Sequence, residues 1–199
     1  ICLYGNLVMT RNNCWLPELN EFPQTSFTVA SYKEYEASLY CTYKKDFWSN
    51  DLFFQGLKVQ VRKSPIIDGY EESFVHFTCK NYENVQNREP DFRRCERLHW
   101  IRKFIENYQC KARCVEKCDG IKYWEEPYKS TKRFHFLFEE ERFLVVLEKR
   151  EYYCLLITAF YLEYDHSLQK QLKHYRMYKK AEDAPFGGTS PETPSTTGR

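Results

Sequence analysis

The sequence predicts an α+β domain: a four- to six-stranded antiparallel sheet, laid out as a meander, with helices packed on it. Three observations carry this expectation. Residues 121–162 read IKYWEE and then KRFHFLFEEERFLVVLEKREYYCLLITAFYL, β-rich runs broken only by short charged connections. Residues 57–63 alternate cleanly, Leu57, Val59 and Val61 against Lys58, Gln60 and Arg62, as a half-buried strand does. Apolar residues recur at helical spacing after Pro90 and Asp91 (Leu98, Ile101, Ile105, Tyr108) and again over 164–180 (Leu168, Leu172, Tyr175).

Each element follows in order. Residues 9–50 open with the turn-formers Pro17 and Pro23; a short strand is expected at 27–30 and a weak helix over 33–40. Ser73 to Cys79, SFVHFTC, reads as a second strand that pairs with 57–63 in a hairpin and sets His76 and Thr78 on one face with Phe74. In the meander, period 2 sends Arg133, His135 and Leu137 to one face and Phe134, Phe136 and Phe138 to the other, which is core. The helix at 164–180 presents Lys170, Lys173, His174, Arg176, Lys179 and Lys180 outward. From Glu182 the Pro, Gly, Ser and Thr text lacks apolar anchors and is expected to be disordered. Three regions result: an extension over 1–50, with 1–8 set apart from the fold; a domain over 51–180; and a tail over 181–199.

Composition narrows the function classes. In 199 residues, 42% hydrophobic and 18% aromatic, there is room for one core. A net charge of +2 does not by itself argue for nucleic acid, but between Asp91 and Lys103 five basic residues face two acidic ones. Nine cysteines, an odd number in a charged chain of this size, favour reduced thiols and a cytoplasmic location. No apolar run is long enough to span a membrane, and residues 1–8 lack a basic leader. With seven glycines and neither a GxGxxG nor a P-loop pattern, nucleotide-driven chemistry is disfavoured, and no cofactor is expected. Cys110, Cys114 and Cys118, with Cys95, make a four-thiolate zinc site arithmetically possible, but the three-residue gaps are not those of a zinc ribbon and free thiols are the stronger reading.

What remains is phosphodiester transfer without a metal, which needs a base, an acid and cations on the developing phosphorane. His76, Thr78, Lys122, Arg133, His135, Glu148, Arg150 and Thr158 are all expected on strands and share a side if the registers match. Each has an ordinary structural reading as well: a hydrogen-bonded strand histidine, a surface ion pair between Glu148 and Arg150, a threonine of good β-propensity. The cluster Arg93, Arg94, Arg97 beside Trp100 suits phosphates and a stacked base.

The order FVHFTCK, PDFRRCERLHWIRKFIEN, IKYWEE, RFHFLFEEERFLVVLEKR, YYCLLITAFYL and a basic C-terminal helix resembles small prophage and mobile-element proteins of the barnase–EndoU–colicin–RelE-like (BECR) group of RNase toxins, over about 57–180. Phe92 and Ile101 stand where related sequences carry Leu and Pro, departures that concern packing. The resemblance implies helix on antiparallel sheet and RNA cleavage through a 2′,3′-cyclic phosphate, with His76, Thr78, Arg94, Arg97 and Thr158 taking part. An antitoxin or immunity protein would be a partner beside RNA. In this reading His76 is general base or acid with His135 as its counterpart, Arg94 and Arg97 stabilise the transition state, and Thr158 orients a phosphate oxygen. Arg93, Trp100, Arg102, Lys103, Lys122, Arg133, Arg150 and Tyr161 would contact RNA. The rival is a non-catalytic RNA- or protein-binding accessory module, which does not require the two imidazoles to converge.

Overall fold

The computed structural model describes residues 14–22, 28–80, 89–110 and 118–183. In chain order the elements are α1 (Val29–Lys44), a π-helical turn (Lys45–Ser49), β1 (Phe53–Phe54), β2 (Leu57–Gln60), β3 (Ile66–Ile67), β4 (Tyr70–Glu71), α2 (Glu72–Thr78), β5 (Cys79–Lys80), β6 (Glu89–Pro90), α3 (Phe92–Cys95), α4 (Trp100–Glu106), β7 (Lys122–Tyr128), β8 (Thr131–Phe138), β9 (Phe143–Lys149), β10 (Tyr153–Tyr161) and α5 (Asp165–Glu182). The class is α+β. Six strands form one sheet in the order β1-β2-β10-β9-β8-β7, and two ribbons, β3-β4 and β5-β6, stand apart.

The sheet is mixed rather than antiparallel throughout. β7 to β10 pair consecutively and antiparallel, but β2 joins β10 in parallel, Lys58 opposite Tyr153 and Gln60 opposite Leu155. β2 therefore does not form a hairpin with 73–79. It pairs instead with β1 through a two-residue turn in which Gln55 and Gly56 both have positive φ, 49° and 78°, as a type I′ turn requires.

Residues 73–79 correct the sequence reading: all but Cys79 lie in helix α2. The aromatic and β-branched content suggests a strand, but Phe74, Val75, Phe77 and Thr78 are all buried, which alternation on a half-exposed strand could not achieve. The chain after β2 supplies what the helix start lacks. The Glu72 amide donates to the Pro65 carbonyl at 3.0 Å, and the Ser73 hydroxyl donates to the Arg62 carbonyl at 2.5 Å. At the other end Thr78 Oγ1 donates back to the Phe74 carbonyl at 2.8 Å.

α1 also starts earlier than composition suggests, at Val29, because Thr28 and Ser31 form a reciprocal capping box. The expected strand at 27–30 is thus helix from Val29 on, and Phe27 lies outside the described residues, as does the expected disorder beyond Asp183. The helix expected after Asp91 is broken in two, with turns between Cys95 and Trp100. Asp91 caps its start, accepting from the Arg94 amide at 3.3 Å.

One face of the sheet packs on α1, α2 and α4. Phe134, Phe136, Phe138, Val145 and Leu147 meet Tyr35, Leu39, Tyr43, Phe74, Phe77, Trp100 and Phe104 there. The opposite face carries a smaller cluster, Trp124, Leu137, Leu144, Val146 and Leu162, closed by Leu168 and Leu172 of α5. No helix among the described residues is long and apolar enough to cross a membrane. Phe136 is fully buried and edge-on to Phe54 at 5.2 Å. Phe136→Ala is expected to lower unfolding stability by about 3–5 kcal/mol in urea titration; a loss under about 1 kcal/mol would show that this layer is not the core.

Candidate functional site

β10 runs along β2 only as far as Leu155, so its second half would present an open edge. There the pairing with β9 slips: Leu156 stands opposite Leu147 and Thr158 opposite Val146, leaving Ile157 as a bulge. The Ile157 carbonyl accepts a hydrogen bond from the His76 ring of α2. Arg94, from α3, lies on the same side. Its Nη1 donates to the carbonyls of His76 at 2.9 Å and Cys79 at 3.3 Å, its Nε pairs with Asp91 at 3.0 Å, and its guanidinium stands 5.9 Å from the Phe160 ring centre. Those bonds use Nε and Nη1; Nη2 makes none among the described residues.

Burial, and then the charges of Arg94 and Arg62, push the His76 pKa down to about 4. The imidazole is neutral at pH 7. With one ring nitrogen donating to Ile157, the other nitrogen of the neutral ring is an acceptor, and Nδ1 is shut off from solvent. Thr158, half-buried, is the next residue after the bulge. His76, Arg94 and the Ile157–Thr158 bulge thus set a neutral base beside a guanidinium at one irregular strand edge, while Arg62, paired with Glu72 at 3.7 Å, bears on the imidazole through its charge.

His135 is elsewhere. Registers set Thr158, Val146, His135 and Trp124 in one row on the α5 side of the sheet, so His135 lies two strand spacings, about 10 Å, from Thr158 with Val146 between. Its ring is stacked on Trp124, 4.8 Å between centroids, and is only 8% exposed. Its Nε2 is 3.8 Å from Glu126, while Nδ1 has no hydrogen-bond partner among the described residues. Burial pushes its pKa down to about 4 as well, against the pull of Glu126 and with help from Arg133 and His174. Glu126 accepts from Trp124 Nε1 at 2.9 Å and is held by His174 Nδ1 of α5. Burial favours its neutral form, but these bonds and the imidazole charges win and leave its pKa lowered.

The remaining candidates divide. Arg93 lies 4.4 Å over the Tyr161 ring, and Arg97 lies 5.2 Å from the same ring, so these three are together. Arg97 is nonetheless buried, bonded to the Arg93 carbonyl, Glu96 and Glu141, which makes it a brace. Trp100 is no stacking surface: it is in the core, its Nε1 on the Pro17 carbonyl at 3.0 Å. Thr78 is likewise buried, its hydroxyl within α2. Arg102 clamps the carbonyls of Asp46, Asn50 and Asp51. Lys103 is exposed beside Glu106, and Lys122 pairs with Glu139 at 2.8 Å. Arg133 and Arg150 share the buried Glu148 at 2.9 and 2.8 Å, Arg133 lying over the Tyr128 ring.

Of the cysteines proposed for zinc, Cys114 lies outside the described residues, Cys95 and Cys118 are buried and Cys110 is half-buried; among the described residues no group of His, Cys, Asp or Glu gathers to hold a metal. Sequence reasoning missed Arg62 and the pair Glu126–His174. Glu126 shares the parity of Trp124 on one strand, a signal that was legible; the inward turn of His174 was not, since its helix face looks basic throughout. No family model, curated protein or solved structure matches the chain.

His135 gives a pH prediction. Its folded pKa is below that of an unfolded histidine, so the unfolded chain binds the proton more readily and the stability it contributes is present above about pH 6.5 and lost as pH falls toward 4. His135→Phe is expected to flatten the fall in melting temperature between about pH 6.5 and 4.5, above the main carboxylate range; identical slopes in the two proteins would contradict a buried neutral imidazole.

Proposed function

We propose that the chain is a metal-independent endoribonuclease of BECR-like fold, and that its site is the bulged edge of β10. The observation that carries this reading is the meeting of His76 and Arg94 at Ile157–Thr158, within the field of Arg62. A neutral imidazole with a fixed donor nitrogen can take the proton of a ribose 2′-hydroxyl on its other nitrogen, and since Nδ1 is shut off from solvent the strand edge must open to admit the ribose. Arg94, with its charge held by Asp91 and its Nη2 unengaged, suits the negative charge that grows on phosphorus as the oxygen attacks, and Arg62, paired with Glu72, adds only its longer-range field. Thr158 orients a phosphate oxygen from the strand beneath. The product is a 2′,3′-cyclic phosphate. RNA is the substrate, a toxin-like role with an antitoxin or immunity protein in the cytoplasm is the setting, and Arg93 with Tyr161 borders the site as a binding surface.

In this reading His135 is not the partner of His76. Its distance across Val146 and its seat against Trp124 suit a structural part, and the acid that protonates the leaving oxygen is left to the protonated His76 or to water. The same separation favours the second reading, a non-catalytic RNA- or protein-binding module, in which the arginines bind and nothing is cut.

The test is RNA cleavage in excess chelator by wild type, His76→Gln and Arg94→Ala, with end-group analysis. His76→Gln keeps an N–H for the Ile157 carbonyl but no basic nitrogen. It is expected to lower the cleavage rate by about 10²–10⁴-fold with RNA binding kept. Undiminished cleavage by His76→Gln would remove His76 from the chemistry, and intact RNA with wild type, together with salt-sensitive binding, would establish the binding module.

A further inference from the structure

Beyond Arg62 the chain passes to a second basic surface that the site above does not use. Trp48 sits in the π-helical turn that ends α1 and is 41% exposed, while Trp100 and Trp124 are sealed in the two cores. Two ammonium groups lie on its indole: Lys44 Nζ at 3.2 Å from the ring centre and Lys63 Nζ at 3.9 Å. Lys63 directly follows Arg62, whose charge bears on His76. The turn is held from below, since Arg102 bonds the carbonyls of Asp46, Asn50 and Asp51 on either side of Trp48. π-Helical turns of this kind recur at functional sites.

Two like charges crowded on one exposed indole are an arrangement that an anion relieves. Lys44 has a carboxylate nearby in Glu71, at 3.0 Å; Lys63 makes no ion pair among the described residues. A ligand that offers anionic groups and a flat ring at alternating positions suits the set. Phosphates draw the ammonium groups off the indole, and the face so exposed takes a base. We infer that Trp48, Lys44 and Lys63 form a binding subsite for single-stranded RNA, which receives the strand one or more nucleotides away from the phosphate held at His76. The inference rests on the RNA-cutting reading for its direction, and its test does not depend on cleavage.

The probe is an RNA oligonucleotide with 2′-O-methyl groups throughout, which cannot be cut by 2′-hydroxyl attack. Wild-type tryptophan emission is expected to be quenched on binding, and Trp48→Leu to lose that quenching and bind roughly 5- to 100-fold more weakly, with Trp48→Phe recovering part of the affinity. Lys63→Gln is expected to lower the slope of log affinity against log salt by about 0.7, the change for one phosphate contact on a single strand. Equal affinity and quenching in wild type and Trp48→Leu, both with unchanged melting temperature, would overturn the subsite. Tight Trp48-dependent binding of an acidic peptide, with no binding of the RNA, would also overturn it and assign the patch to a protein. Trp48-dependent RNA binding by a protein that cuts no RNA would support the subsite while refuting the nuclease.

Discussion

The hydrogen bond from the His76 ring to the Ile157 carbonyl is the joint on which the site side of the molecule depends. β10 is paired in parallel with β2 on one side and antiparallel with β9 on the other, and where β2 ends an extra residue is inserted against β9. A bulge turns a backbone carbonyl out of the ladder, and a carbonyl beside a buried edge needs a donor. α2 supplies one through His76, and α3 then closes over α2 as Arg94 bonds its last carbonyls. The bulge explains why a short helix with few propensity advantages forms here: its first amide is paired by the Pro65 carbonyl, and its one histidine is paired by the sheet.

The imidazoles of His76 and His135 are kept neutral by the same desolvation but have opposite consequences. His135 is enclosed by α5 and stacked on indole, so its neutral form belongs to the packing of the second cluster. His76 is only half-buried and lies within the field of Arg94 and Arg62, which disfavour a further positive charge. A histidine held neutral near cations is a base whose protonated form is unstable there.

Much of the architecture was legible in the chain because it rests on local periodicity. The Phe134, Phe136, Phe138 face and the seam of Leu168 and Leu172 follow from spacing alone. What failed was decided by long-range contacts. SFVHFT has the composition of a strand and became a helix because the Arg62 and Pro65 carbonyls met its first turn and because both its flanks are buried. Trp100 looked like part of a basic surface until residues 14–22 covered it with the Pro17 carbonyl. The site shows the same division: His76, Arg94 and Thr158 were named from the sequence and do lie around one bulge, whereas Arg62 was only the exposed half of an alternation. The register that parts His135 from Thr158 by one strand has no local signature.

The measurement that bears most directly on this account is the nitrogen NMR spectrum of the His76 ring, assigned by its loss in His76→Gln, followed from pH 8 to pH 3.5. A single neutral tautomer persisting through pH 6, with protonation near 4, is the expected result. A ring that averages between tautomers and titrates near 6.5 would mean that the bulge carbonyl does not hold it, and the site built on that bond would fall.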